Sequence, residues 1–379
     1  MNFGILAEHL GQRTGKSMFN NIYENKKVLL TGHTGFKGSW LSLWLTKLGA
    51  DVCGYSLAAP TEPNHFEHLN LDIRSEIGNI LDTERLEKVF ADFQPEIVFH
   101  MAAQPLVRLS YREPRETFET NVLGTVNVLD ACRKAASVRA IVNVTSDKCY
   151  DNKEWIWGYR ENDAMGGHDP YSASKGCAEL VAGSYRDSFF NPKDFGSKHN
   201  VLLASCRAGN VIGGGDWAED RLIPDIMRAV SRNEKVEIRN PGATRPWQHV
   251  LEPLSAYLQI GQKLVEGDVD FAEAWNFGPD DNGSITVQEV VENIKQFWPK
   301  IDYQLGNCKN AVHEANLLKL DCSKAHIKLK WQAVWDSKMT FQKTVEWYHD
   351  FYEKNKITSN NDLSSYIKDA KRKGLEWTK

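Results

Sequence analysis

Five side chains in two short stretches carry groups able to move protons and assist hydride transfer. Ser146-Asp147-Lys148 follows the apolar run Ile141-Val142-Asn143-Val144, and Tyr171 and Lys175 follow Asp169-Pro170. Asp169 can cap a helix whose first residue is Pro170, so Tyr171 and Lys175 project from the same face of that helix. An ammonium beside a phenol favours phenolate, which lets a tyrosine take a proton from an alcohol near neutral pH while hydride leaves the carbon. The spacing therefore predicts that Lys175 lowers the pKa of Tyr171. Tyr-x-x-x-Lys alone also arises by chance on surface helices. Here it follows a serine-bearing strand end in a chain that also has a glycine-rich nucleotide loop, and the combination points to redox chemistry at a hydroxyl.

That loop comes early. Lys27-Val28-Leu29-Leu30 reads as a short strand running into Thr31-Gly32-His33-Thr34-Gly35-Phe36-Lys37-Gly38, with a helix from there to Leu48 stopped by Gly49. Glycines at this spacing permit a tight turn and a close approach of backbone to a pyrophosphate at the helix N-terminus. Gly32, Thr34, Gly35, Phe36, Lys37 and Gly38 are thus candidate cofactor residues. The next strand, Val52 to Ser56, ends with Ser56 where an acidic residue would normally hold the adenine ribose, and no Arg or Lys lies between Gly54 and Glu62 to meet a 2′-phosphate. NAD is expected rather than NADP. Asn79 and Ile80 follow in Gly78 to Asp82, and the strand Ile97 to His100 runs into Met101-Ala102-Ala103-Gln104, whose small residues let backbone approach the cofactor. A helix from about Arg115 to Lys134 carries Asn121, a further cofactor candidate; its apolar face suits either core or a dimer seam.

The alternation of these strands and helices predicts an α/β fold, a Rossmann-type doubly wound parallel sheet, with a smaller mixed α/β C-terminal substrate domain. Residues 1–25 form a polar extension, 26–206 the dinucleotide-binding domain, with 248–280 returning to it, and 207–247 with 281–379 the substrate part. Asp151 to Asp169 is polar and rich in Trp and Gly, a length of loop usual over active sites, and is expected to act as a lid. In the second part Asn210, Arg221, Arg245 and Trp247, with Arg239 and His249 nearby, suit a diphosphate and a planar base. His313-Glu314 and Asp321 lack metal-ligand spacing, and no metal is expected.

The 379 residues are 41% hydrophobic with a formal net charge of −4, which gives no electrostatic footprint for nucleic acid. No apolar run approaches the roughly 20 residues that span a bilayer. Seven cysteines without paired ligand spacing read as reduced core thiols, and with no export signal at the N-terminus the expected compartment is the cytoplasm.

These motifs resemble the extended short-chain dehydrogenase/reductases and, within them, the CDP-glucose branch of the sugar-nucleotide 4,6-dehydratases. The match lies in Thr31 to Trp40, His100 to Gln104, Asn121 to Thr125, Thr145 to Asn152 and Tyr171 to Lys175. It continues through Arg207 to Trp217, Arg245 to Val250 and Trp275 to Pro279. The broader dehydratases carry Thr-Asp-Glu where this chain has Ser146-Asp147-Lys148. The resemblance implies CDP-glucose as substrate, NAD as cofactor, and a homodimer or higher homo-oligomer whose seam pairs the helix around Asn121 to Lys134 with the Tyr171 helix. It implies that Tyr171 takes the C4-hydroxyl proton, Ser146 bonds the C4 oxygen, Asp147 is the acid at C6, Lys148 the base at C5, and Lys175 the holder of the nicotinamide ribose. A base role needs the Lys148 amine neutral, with closure of the 151–169 loop supplying the desolvation; the alternative is that Lys148 only steadies Asp147 or a phosphate. A 4-epimerase or 4-reductase needs Ser146, Tyr171 and Lys175 but not Asp147-Lys148. A non-catalytic dinucleotide-binding scaffold would have no use for Tyr171 and Lys175.

Overall fold

Four of the five residues of strand Lys27–Thr31 are buried, and its neighbours alternate between two cores: Val28 and Leu30 face one apolar cluster, Leu29 the other. A strand apolar on both faces must be covered on both. In the computed structural model, which describes residues 18–238, 240–279, 284–306 and 317–379, that strand is central in a seven-stranded parallel sheet. The order across the sheet is Ala274–Phe277, Leu202–Ala208, Ala140–Val144, Ile97–His100, Lys27–Thr31, Asp51–Ser56, Arg74–Ile77. The chain winds outward in one direction from Lys27–Thr31 and then in the other, so a crevice opens at the strand C-termini, where such sheets bind their ligands.

The other wall of the crevice comes from a three-stranded sheet, Ser284–Thr286, Thr244–His249 and Asn210–Ile212, and the pair Tyr303–Leu305 and Val236–Ile238. Helix Leu251–Val265 packs under the large sheet, and its Glu252 fastens the C-terminal region to it. The Glu252 carboxyl accepts from Val334 N (2.9 Å), Trp335 N (2.8 Å) and the Tyr366 hydroxyl (2.7 Å).

The helix expected over 115–134 is three pieces: Pro114–Phe118, a π-turn at Glu119–Leu123, and Gly124–Lys134. The π-turn places Asn121 inward, buried, with its amide hydrogen-bonded to the backbone of Gln104. Such one-turn bulges recur at functional sites. Residues 1–17, Arg239, Cys308, His313 and Glu314 lie outside the described residues. Among the described residues no helix is long and apolar enough to cross a membrane, and no cluster of His, Cys, Asp or Glu could hold a metal.

Candidate active site

Helix Pro170–Ser188 begins as its sequence requires: Asp169 accepts from Ser172 N at 2.9 Å, and Pro170 occupies the first turn. The cap fixes where Tyr171 and Lys175 emerge. Opposite them strand Ala140–Val144 ends, and Ser146 caps a short 3-10 turn over Asp147–Cys149. The Ser146 hydroxyl donates to Asp147 Oδ1 at 2.9 Å and accepts from Lys148 N at 3.2 Å. All five side chains line one cavity of about 1280 Å³, larger than the roughly 300–1,000 Å³ of a single-ligand site. Room for two ligands is consistent with a dinucleotide and a nucleotide-bearing substrate.

The cofactor wall is the glycine-rich loop. Gly32 has φ +79°, and a Cβ there would lie 2.8 Å from Ala102 N; a Cβ on Gly38 would lie 2.0 Å from the Gly32 carbonyl oxygen. Neither position admits another residue, and the turn exposes backbone amides at the start of helix Phe36–Lys47. Gly32, Thr34, Gly35, Phe36, Lys37 and Gly38 all line the cavity, as do Ser56, Asn79, Ile80, Met101, Ala102 and Ala103. Ser56 Oγ lies 2.8 Å from Thr34 Oγ1. The Lys175 side chain is buried, yet its amine has no hydrogen-bond or ion-pair partner among the described residues. An orphaned buried ammonium beside a glycine cradle fits a dinucleotide whose ribose hydroxyls would satisfy it.

Gln104 and Asn121 do not line the cavity. Asn121 Oδ1 accepts from Gln104 N (2.8 Å), and its amide donates to Gln104 O (3.0 Å) and to Ser174 Oγ (2.8 Å). The pair stands behind the wall and braces it against the helix that carries Tyr171 and Lys175, in place of lining the cavity as expected for both.

Burial pushes the Tyr171 phenol up to about 12; the Ser146 hydrogen bond pulls it down and the Asp147 charge pushes it further up. Lys175, expected to lower it, is itself desolvated, down to about 8, and the cation that leads in lowering the phenol is Arg221. Lys37, expected only to cradle phosphate, also looks into the reacting end. Burial brings it to about 8, with Arg221 and Lys175 acting in the same direction and Asp147 against. Nothing in a glycine-loop pattern shows which way a side chain inside it turns.

Asn210, Arg221, Arg245 and Trp247, expected to bind substrate, all line the cavity. Arg221 Nη1 sits 2.7 Å from Asp216 Oδ2, and Trp247 Nε1 is buried without a partner among the described residues. Across the cleft, Arg108 Nη1 lies 3.4 Å from Asp220 Oδ1, tying the two walls together; isolated charges in irregular segments gave no signal for this pair. No residue of the loop 151–169, expected as a lid, lines this cavity. Its aromatic residues anchor it elsewhere, Tyr159 stacking on Tyr150 at 5.1 Å and bridging to Leu320, while Asn276 Nδ2 donates to Tyr159 O at 2.8 Å.

Residues 29–346 match the protein family described as GDP-mannose 4,6 dehydratase. The chain is 54% identical over 351 residues to the CDP-glucose 4,6-dehydratase of Salmonella typhimurium, covering 92% of this chain and 98% of that protein. It is 30% identical to the dTDP-D-glucose 4,6-dehydratase of Dictyostelium discoideum over 71% of this chain and 62% of the relative. Among solved structures, the UDP-glucose 4-epimerase of Thermotoga maritima with UDP-glucose superposes with a TM-score of 0.72 at 22% identity, covering 86% of this chain and 99% of that one. The dTDP-glucose 4,6-dehydratase of Bacillus anthracis in complex with NAD gives 0.69 at 22% identity, over 86% and 98% of the two chains. At that identity the two structures speak to the fold alone.

Proposed function

The chain belongs to the GDP-mannose 4,6 dehydratase family, and on that premise we propose that it dehydrates CDP-glucose to a CDP-4-keto-6-deoxyglucose with NAD, without net redox change. The observation that carries this reading is the convergence of Ser146, Asp147, Lys148, Tyr171 and Lys175 on the cavity bounded by the glycine cradle.

The cradle of Gly32, Gly35 and Gly38 would hold NAD, which would supply a reversible hydride acceptor for C4 and donor for C6. Tyr171 takes the C4-hydroxyl proton, with Ser146 bonding the same oxygen. Its phenol is high through burial, and within this chain the Ser146 hydrogen bond and the Arg221 charge act to lower it. The resulting ketone acidifies the C5 hydrogen. Lys148, whose amine has no partner among the described residues, removes that proton while Asp147 protonates the departing C6 hydroxyl, and the proton goes back to C5 when hydride reaches C6. Asp147 and Lys148 are what set this reading apart from a 4-epimerase, which needs no elimination. On the substrate wall Arg245 and Asn210 hold the diphosphate, Arg221 adds a second guanidinium, and Trp247 lines the same wall. Ser56 supplies no cation for a 2′-phosphate, so NAD is preferred to NADP by a modest factor, which direct titration of the two measures.

The protein acts as a homodimer or higher homo-oligomer. Support comes from the exposed Leu123, Leu180 and Phe189, which the π-turn and the Tyr171 helix present to solvent; sedimentation showing only monomer at micromolar concentration would remove this. Free cysteines, without a disulfide among the described residues, support a cytoplasmic setting, and fractionation of cells expressing the protein tests it. Incubation with CDP-, dTDP-, UDP- and GDP-glucose tests the substrate: a 4-keto product from CDP-glucose is expected, and preference for another nucleotide would reassign it.

A further inference from the structure

The catalytic helix carries a second buried charge that the proposed mechanism leaves unused. Glu179 lies one turn beyond Lys175, and its side chain is 3% exposed. It pairs with Arg207 of strand Leu202–Ala208, Nη2 to Oε2 at 2.8 Å, and its Oε1 accepts from the Thr145 hydroxyl, the residue before Ser146. Arg207 continues outward: its Nη1 donates to the Tyr150 hydroxyl (2.6 Å) and to the Glu161 carbonyl (2.9 Å), and Tyr150 donates to Asn276 Oδ1 at 2.7 Å. A single carboxylate thus joins the helix bearing Lys175, the strand end bearing Ser146 and the strand bearing Arg207.

Buried ion pairs are weak devices for stability as such, because desolvation offsets most of the attraction. Their value is in fixing charge and geometry nearby, and Lys175, one turn away on the same helix, is a charge on which Glu179 acts. The groups around that amine from each packed element are few. Glu179 and Tyr171 come from its own helix, Lys37 from the glycine loop, His100 from strand Ile97–His100, and Asp147 and Cys149 from the turn after Ala140–Val144. His100 has both ring nitrogens bonded, to Thr31 and Thr125, and burial holds it neutral at about 3; burial holds the Cys149 thiol neutral as well. Lys37 is a cation and opposes a second one. Glu179 is the anion that acts on Lys175 against its burial, while Arg207 keeps Glu179 itself ionised.

We propose that Glu179, held by Arg207 and Thr145, is a positioning residue that keeps Lys175 an ammonium and the Ser146 strand end in register with it. The inference rests on Lys175 being the group that holds the cofactor ribose.

The test is the pH dependence of NAD affinity, measured by fluorescence titration of the full chain, alongside the basic limb of kcat/KM. In the wild type both break near the Lys175 value of about 8. Glu179→Gln keeps the shape and removes the charge, and should move both breaks down by about one pH unit. Arg207→Lys keeps the charge but loses the fork that reaches Tyr150 and Glu161; it should lower the melting temperature and leave the breaks in place. A Glu179→Gln break at the wild-type pH, or an equal displacement in Arg207→Lys, would overturn the inference. Lys37, the other cavity lysine brought to about 8, is replaced in a Lys37→Arg background; there Lys175→Arg, which does not titrate in this range, should abolish the remaining breaks, and if they persist the assignment of Lys175 fails and the role of Glu179 falls with it.

Discussion

The Asn121 amide donates to the Ser174 hydroxyl at 2.8 Å, so the π-turn at Glu119–Leu123 is pinned to the helix that presents Tyr171 and Lys175. The same side chain holds Gln104 through both its backbone N–H and its carbonyl. Asn121→Ala leaves the Gln104 N–H and carbonyl unpaired, while Ser174 keeps its bond to the Tyr171 carbonyl, at a cost of about 2 kcal/mol in unfolding free energy, and should weaken NAD binding without abolishing the chemistry. Denaturant unfolding with and without NAD measures both effects; a loss under about 1 kcal/mol would show that the clamp is dispensable.

Arg245 lines the cavity from strand Thr244–His249, an element separate from the glycine cradle. Arg245→Ala should raise KM for the sugar nucleotide by roughly 10–100-fold, the scale of a lost charge-assisted contact to phosphate, and leave the NAD dissociation constant near wild type. Equal weakening of both ligands would place Arg245 elsewhere in the binding scheme.

Much of this site was legible because its parts are local. Asp169-Pro170 announces a helix start, the glycine spacing announces the cradle, and Ser146-Asp147-Lys148 ends an apolar run that can only be a central strand. What escaped depends on long-range pairing. The Tyr159 and Asn276 contacts that draw loop 151–169 away from the cavity join residues over a hundred positions apart, and nothing in a Trp- and Gly-rich composition distinguishes an anchored loop from a lid. The π-turn around Asn121 adds one residue to a helical turn, too small a change to disturb the 3.6-residue pattern. The balance of charge on Tyr171 was misread for a different reason: spacing reports proximity, whereas burial, which dominates both Tyr171 and Lys175, is a property of the folded chain.

Stability should fall between mildly acidic and neutral pH. Burial pushes the Glu252 carboxyl from the ordinary 4.5 up to about 7, so the folded state prefers it protonated. Its contribution is fully present below pH 4.5 and is lost as pH rises through 7, about 3 kcal/mol in all. Asp362, raised to about 6, acts in the same direction. Denaturant unfolding of wild type and Glu252→Gln at intervals from pH 4.5 to 8 isolates the Glu252 share, since the variant should show the shallower decline; parallel profiles would contradict it.

Lys148 separates elimination from oxidation. In Lys148→Ala, Tyr171 and Lys175 remain, so CDP-glucose should still reduce bound NAD, seen as nicotinamide absorbance. C5 should exchange with solvent deuterium at least 100-fold more slowly, the lower range for a general base. Exchange at the wild-type rate, or failure to reduce NAD at all, would take the base role from Lys148.

The central claim is that one hydride leaves C4 and returns to C6 of the same sugar. CDP-glucose deuterated at C4, turned over by the wild-type protein in ordinary water, should give a 4-keto-6-deoxy product with deuterium retained in its C6 methyl group by mass spectrometry and NMR, with no net reduction of NAD. Deuterium found back at C4 of an epimer, or lost from the product, would contradict it.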